Sequence, residues 1–314
     1  MSEKPDEVRD GVALTNLDQP LFDGADATKR DLIDYLDRVA DRFVPVLRDR
    51  PLSVIRVHRG QDAFMQKNVP KYAPEWIERV SFWAETSKRD VAYALCNDRR
   101  TLLWFGNQRA VEYHPTLVRM DAPQDATHLV LDLDPPPAAG FAAAVRAAHV
   151  VRAVLDAAGL AAIVKTSGAK GVHVFVPLAA GTSVMDAAHA TRALAARTAA
   201  LDPAVATVAF MKEDREGKVF VDATRAGGAT VAAAYSPRVR PGTPVSWPVA
   251  WDDLDAVRPA DFTIRTAPDD DPWTRLQPSP QLLPRDLVAE GEAIPSARVE
   301  AMHEGKRRRA RERQ

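Results

Sequence analysis

From residue 32 onward, apolar side chains recur at helical spacing: Leu32, Leu36, Val39, Phe43 and Leu47 make one stripe. Thr28 stands before the stripe and Asp31 three residues later, a capping box with a short Asp where Glu is usual. The pattern predicts a helix from Thr28, kinked in its last turn by Pro45 and stopped by Pro51. Residues 52–57 read as a strand, followed by a basic turn at His58-Arg59-Gly60. Asp98 caps a helix to about Arg109, and 129–134 is a short strand halted by Pro135-Pro136-Pro137. An Ala-rich helix over 141–158 ends at Gly159, and strands 162–166 and 172–177 flank a Gly-rich turn. Ser183 and Asp186 open another helix to about Ala200, and strands are expected at 219–222 and 230–234.

Strands and helices in this mixed order predict an α+β protein, one domain with two lobes. Residues 1–12 are polar and expected to be disordered, the folded domain spans 13–290, and 291–314 is a basic C-terminal tail. Lys+Arg 42 against Asp+Glu 43 gives a net charge of −1, so any basic surface for nucleic acid must be local. A single cysteine, Cys96, excludes an intrachain disulfide and a Cys-rich zinc site. Without a signal peptide or a long apolar run, the chain is expected to be cytoplasmic, with no membrane partner.

Asp132 and Asp134 lie two apart on a strand and so project from one face, with Leu131 and Leu133 on the other. Paired carboxylates repel, which favours a divalent cation between them, and hard oxygen ligands suit Mn²⁺ or Mg²⁺. Asp222 ends another strand and is a candidate third ligand. Three carboxylates around two cations suit phosphoryl transfer. A D-x-D pair standing alone also fits a strand-end turn with solvated acids.

Between two apolar strands, Thr166-Ser167-Gly168-Ala169-Lys170-Gly171-Val172-His173 offers small residues that let backbone N–H groups approach a phosphate. Lys170 adds a point charge, Ser167 a hydroxyl and His173 a ring donor; a tight hairpin with a solvated lysine is the plainer alternative. Arg225, Arg238 and Arg240 follow the third acid and can form bidentate forks to phosphate oxygens.

Three segments in this order resemble the motifs of the bacterial ligase D polymerase domain, in the archaeo-eukaryotic primase superfamily. They are Leu131-Asp-Leu-Asp-Pro135, Thr166-Ser-Gly-Ala-Lys-Gly-Val-His173, and Lys218-Val-Phe-Val-Asp222 with Tyr235-Ser-Pro-Arg-Val-Arg-Pro-Gly242. Leu14-Thr-Asn-Leu-Asp18, Thr28-Lys-Arg-Asp-Leu-Ile-Asp-Tyr35 and Arg48-Asp-Arg-Pro-Leu52 extend the likeness over about residues 12–290. The resemblance implies a primase-polymerase fold, with central mixed or antiparallel sheets flanked by helices. It also implies template-dependent addition of rNTPs or dNTPs to a 3′-OH in DNA repair. Asp132, Asp134 and Asp222 would hold two Mn²⁺ or Mg²⁺ ions. Ser167, Lys170, His173 and Arg238 would hold the incoming triphosphate, His114 would lie near the incoming nucleotide, and Arg225 is a further candidate nucleotide contact.

The resemblance also points to DNA contacts. Phe64 would stack on bases, Lys67 and Arg56 would track phosphates, and Asn16 and Lys29 would meet the 5′-phosphate of a gap or end. Two departures stand out: Met65 replaces a second aromatic, and Gln19 replaces a lysine expected four residues after Thr15. Gapped, overhanging or primer-template DNA is the expected partner. The chain is expected to stand alone, so a separate ligase and end-binding protein would complete joining. Two rival readings are a D-x-D metal-dependent glycosyltransferase and a non-catalytic DNA-end-binding module.

Overall fold

A computed structural model describes residues 5–58, 60–84, 88–226 and 229–295. The chain opens with a hairpin in which β1 (Glu7–Arg9) pairs antiparallel with β2 (Val12–Leu14). Asp10 and Gly11 turn the chain with φ of 47° and 73°, as a two-residue hairpin turn requires. The expected disorder of residues 1–12 is thus corrected over Glu7–Arg9 and Val12; Asp10-Gly11 is its sequence signal.

Helix α1 (Lys29–Arg38) carries the expected capping box, the Thr28 N–H donating to the Asp31 carboxylate at 2.7 Å and the Thr28 hydroxyl accepting from the Asp31 N–H. The whole stripe Leu32, Leu36, Val39, Phe43 and Leu47 is buried. The expected kink at Pro45 is corrected: the chain breaks earlier, at Val39, and Pro45 lies inside α2 (Ala40–Leu47). The break at Val39 keeps Phe43 and Leu47 in the core although Pro45 has no N–H to give the preceding turn.

The first sheet is built on β3 (Pro51–Arg56), with β4 (Phe64–Gln66), β5 (Arg79–Ala84) and β6 (Arg89–Leu95). Helix α3 (Arg99–Asn107) leads to β7 (Ala110–Pro115). β7 covers one edge of β3; β4 and β6 pair with the other, and β5 extends β6. A ribbon of β8 (Val118–Arg119) and β9 (Ala122–Ala126) leads to the second sheet.

The second sheet contains β10 (His128–Asp134), then, after α4 (Gly140–Ala157), β11 (Ile163–Thr166) and β12 (Val172–Pro177). Helix α5 (Val184–Leu201) precedes β13 (Ala206–Thr207), β14 (Val219–Asp222) and β15 (Pro248–Val249). The strand order is β13-β14-β10-β12-β11-β15, antiparallel except for β13 with β14. α4 and α5 pack on β10, whose Leu129, Leu131 and Leu133 are fully buried. Alternation then puts His128, Val130, Asp132 and Asp134 on the opposite face.

Residues 230–234 do not form the expected strand. Thr230 makes one bridge to Thr116, and Val231 and Ala233 donate to the carbonyls of Pro115 and Tyr113 before Tyr235 turns left-handed at φ 69°. The two lobes share one core. Tyr35 donates to the Tyr235 carbonyl at 2.7 Å, and Phe43 meets Tyr113 and Tyr235 edge-to-face.

Short α6 (Pro272–Leu276) precedes α7 (Arg285–Ala293), which packs on α5 and carries the fold past the expected boundary at 290. Residues 306–313, the basic run, lie outside the described residues. Gly291 lets α7 reach α5, because a Cβ there would overlap the backbone carbonyl of His189. Gly291→Ala is expected to destabilise the protein by about 1–3 kcal/mol through overpacking, measured as a lower chemical-denaturation midpoint.

Candidate active site

Antiparallel register sets a row of polar side chains across four strands. Lys165 of β11 stands opposite His173 of β12, His173 opposite Asp132 of β10, and Asp132 opposite Asp222 of β14. Directly paired residues present their side chains on the same face. The row is continuous: the Lys165 ammonium contacts His173 Nδ1 at 2.8 Å and donates to the Ser246 hydroxyl, and His173 Nε2 lies 3.3 Å from Asp132 Oδ1. Asp134, one pleat along, completes the acid group. Asp132, Asp134 and Asp222 each offer a carboxylate oxygen within 4.8 Å of the others.

Lys165, His173, Asp132 and Asp222 are buried and Asp134 is partly exposed. Burial opposes the charge of Asp132, but His173 and Arg225 overcome it and hold the carboxyl below its ordinary range. Burial, then the charges of Asp132 and Asp222, pushes Asp134 up to about 6. Burial, helped by Lys165, lowers His173 to about 4, so the ring is neutral near pH 7. Lys165 is fully buried and its pKa falls well below that of a solvated lysine for the same reason. The sequence reading missed Lys165; its place two residues before Ser167 in an apolar strand is the signal.

The turn between β11 and β12 is the expected hairpin. The Ser167 hydroxyl accepts from the N–H groups of Ala169 and Gly171 at 3.2 and 3.0 Å, so it shapes the loop. Gly168 sits at φ 69°, and a Cβ at Gly171 would press on the Leu133 carbonyl. Lys170 is exposed at the rim, whereas Arg238 is held by Glu112 at 3.0 Å and by the Ser167 carbonyl. Glu112 also accepts from His114 Nε2 at 2.9 Å and the Val239 N–H at 2.9 Å. Burial opposes its charge, yet His114 and Arg238 bring its pKa down to about 2. Glu112 was not anticipated; it joins β7 of the first sheet to Arg238 in the loop between β14 and β15.

Arg225 lies differently from the expected nucleotide contact. Its guanidinium bridges Asp132 at 3.1 Å and Asp222 at 3.2 Å, because the acids are the strongest negative groups within its reach. Above the row opens a cleft of about 930 Å³ that includes His114, Ser167, Lys170, His173, Arg225 and Arg238. Lys212, Arg215 and Arg240 add positive charge to its walls; Lys212 and Arg215 come from a 3-10 turn whose role is not legible in the sequence.

The expected DNA-binding residues fall into two places. Phe64 is 38% exposed on β4, stacked on His58, with Lys67 exposed beside it. Arg56 is instead buried. It donates to the Gln108 carbonyl, Gln66 and Tyr72 at 2.8, 2.7 and 3.1 Å, so it braces this surface and is not free to track a phosphate. Asn16, Gln19 and Lys29 come together at the start of α1. Exposed Asn16 accepts from the Gln19 amide at 3.0 Å, and the Lys29 ammonium donates to the Thr15 carbonyl at 2.6 Å. Lys29 is only 3% exposed, and burial, with Arg109 nearby, lowers it to about 8.

A carboxylate triad on a sheet, under a cleft rimmed by basic side chains and a glycine-shaped turn, has the chemistry of a metal-dependent phosphoryl-transfer site. The chain belongs to the family described as LigD, primase-polymerase domain, whose model matches residues 28–273. It is 32% identical over 263 residues to the bifunctional non-homologous end joining protein LigD of Bacillus subtilis, and 33% over 248 residues to the multifunctional LigD of Mycolicibacterium smegmatis. Those matches cover 82% and 77% of this chain but 42% and 32% of the relatives. The polymerase domain of Mycobacterium tuberculosis ligase D, solved in complex with DNA, superposes with a TM-score of 0.74 at 31% identity. That match covers 90% of this chain and 99% of the solved one. Membership of this family sets aside the glycosyltransferase alternative that the D-x-D left open.

The hydrogen bonds of the row predict one tautomer. Nδ1 of His173 accepts from Lys165, which leaves the proton on Nε2, facing Asp132. Long-range ¹⁵N correlation spectra are expected to show Nε2–H alone at pH 7, and a mixture of tautomers in Lys165→Met.

Proposed function

We propose that the chain is a template-dependent primer-extending nucleotidyltransferase, adding rNTPs or dNTPs to a 3′-OH. The observation that carries this reading is the cluster of Asp132, Asp134 and Asp222, of which Asp132 and Asp134 line the basic cleft. Its chemistry fits two Mn²⁺ or Mg²⁺ ions. The donors are hard oxygens, burial and the charges of Asp132 and Asp222 raise Asp134 to about 6, and Arg225 supplies only one positive group between two of the acids. Bound there, the cations would lower the pKa of the 3′-OH and neutralise charge on the phosphoryl oxygens. The protein's own part is positional. Lys165 and His173 keep Asp132 oriented, Lys170 meets the triphosphate at the rim, and Arg238, fixed by Glu112 and the Ser167 carbonyl, lines the cleft beside the same turn. Arg225 would leave the acids as cations arrive and turn its fork to phosphate oxygens.

The relatives named as non-homologous end joining proteins support a role in joining broken DNA, with gapped or overhanging ends as substrate. A ligase activity and an end-binding protein are the proposed partners. No helix among the described residues is long and apolar enough to cross a membrane.

Asp132→Ala or Asp134→Ala is expected to bring Mn²⁺-dependent primer extension to background while leaving DNA affinity within about twofold, since neither acid would touch the duplex. Extension by the double variant at wild-type rate would exclude the metal reading. Lys170→Ala is expected to raise the nucleotide concentration for half-maximal extension by roughly 10–100-fold, the loss of one charge-assisted contact. Titration of nucleotide at saturating DNA measures it.

Recognition of a downstream 5′-phosphate is expected to be weak. Gln19 brings no charge, and the Lys29 ammonium is buried on the Thr15 carbonyl. Gln19→Lys is expected to increase the preference for 5′-phosphate over 5′-hydroxyl on gapped DNA. A tenfold preference in the unmodified protein, about 1.4 kcal/mol, would show that the missing lysine charge is compensated elsewhere.

A further inference from the structure

A second cavity, of about 190 Å³, lies on the same side of the second sheet as the catalytic acids. His128 lines it at the start of β10, four residues before Asp132 and so about 13 Å along the strand. Val231 borders both this cavity and the catalytic cleft. The wall is unusual in its charge. Arg42, Arg50 and Arg119 all line it, and among the described residues none of the three is ion-paired with a carboxylate.

Among the described residues no carboxylate lies within ion-pair distance of the three, although Asp271 acts on Arg42, and Asp49 and Asp121 on Arg50, from further off. Arg50, 6% exposed, donates to the Thr116 carbonyl at 3.1 Å and the Thr127 hydroxyl at 2.8 Å. Arg42 donates to the Pro268 carbonyl and lies over the rings of Tyr235 and Trp247. The Nε atoms of Arg42 and Arg119 are buried with no hydrogen-bond partner. His128 adds no negative charge. Its Nε2 faces the Gln277 amide at 2.8 Å and its Nδ1 the Thr127 hydroxyl at 3.0 Å, and burial lowers its pKa to about 3. Burial, with Arg119 adjacent, also pushes Arg50 down to about 10, and the charges of Asp49 and Asp121 do not offset this. Buried N–H groups without partners cost stability, and clustered guanidinium forks match tetrahedral oxyanions. The volume falls below the roughly 300–1,000 Å³ of ordinary small-molecule pockets, so the fitting ligand is a small ion.

We propose that this cavity is a second anion site, taking inorganic phosphate or pyrophosphate on Arg50, Arg119 and Arg42, separate from the catalytic cleft. The site does not depend on the polymerase reading. Its test is calorimetric titration of the full chain with phosphate and with pyrophosphate, in the unmodified protein, Arg119→Gln, Arg50→Lys and Lys170→Ala. Two binding components are expected. Arg119→Gln should weaken one at least tenfold and leave the other, while Lys170→Ala, in the catalytic cleft, should do the reverse. Arg119 is only partly buried, so its variant is expected to keep the native melting midpoint even if Arg50→Lys fails to fold. Arg119→Lys, which keeps the charge but loses the fork, serves as a second variant and should weaken the same component. An isotherm unchanged in both Arg119 variants would overturn the proposal. A duplex without terminal phosphates forms the last arm. Loss of duplex affinity in Arg119→Gln, with free phosphate and pyrophosphate binding intact, would assign the arginines to a DNA backbone phosphate and equally overturn it.

Discussion

The register between β10 and its two neighbours is the constraint on which the site depends. Asp132 pairs with His173 on one side and with Asp222 on the other, and Lys165 pairs with His173 beyond. A slip of one residue in any of these ladders would send one member of the row to the opposite face, under α4 and α5. The apolar alternation of the same strands prevents that slip. Leu131 and Leu133, Val172 and Val174, and Val219 and Val221 are all buried. The core that holds the sheet on its helices is therefore also what aligns the acids.

Crowding negative groups on one face has an electrostatic cost, and the fold answers it locally. Arg225 bridges Asp132 and Asp222, while Asp134 is left with less compensation and a raised pKa. Lys165, buried against His173 and Ser246, orients the ring rather than serving as a solvated charge. These devices leave the triad organised but short of positive charge, the condition in which hard divalent cations bind.

The first sheet enters the site through Glu112. This one buried carboxylate takes His114, Arg238 and the Val239 N–H, so the arginine on the wall of the cleft is set by a strand of the other lobe. Segment 230–234, running beside the end of β7, also ties the lobes and forms the partition between the acid-floored cleft and the arginine-lined cavity. The stacking surface around Phe64 lies on the first sheet, braced from beneath by Arg56.

Local patterns determined much of this in advance. Alternation placed Asp132 and Asp134 on one face, the capping box began α1 at its observed residue, and the hairpin around Gly168 and Gly171 followed from small residues between two apolar runs. These features depend on neighbours a few residues apart, and such neighbours are visible in a sequence. The strand-end position of Asp222 offered it as the third acid, and motif resemblance supplied the family. What only the tertiary structure decided involves residues far apart in the chain. Lys165 became part of the row through pairing across the sheet, Glu112 met Arg238 across 126 positions, and Arg225 folded back onto the acids. Burial turned Lys29 and Arg56 from solvated charges, as their residue types suggest, into groups occupied by carbonyls and side chains. Residue type sets what a side chain can donate or accept, but its partner is chosen by whichever group the packed core brings within hydrogen-bond distance.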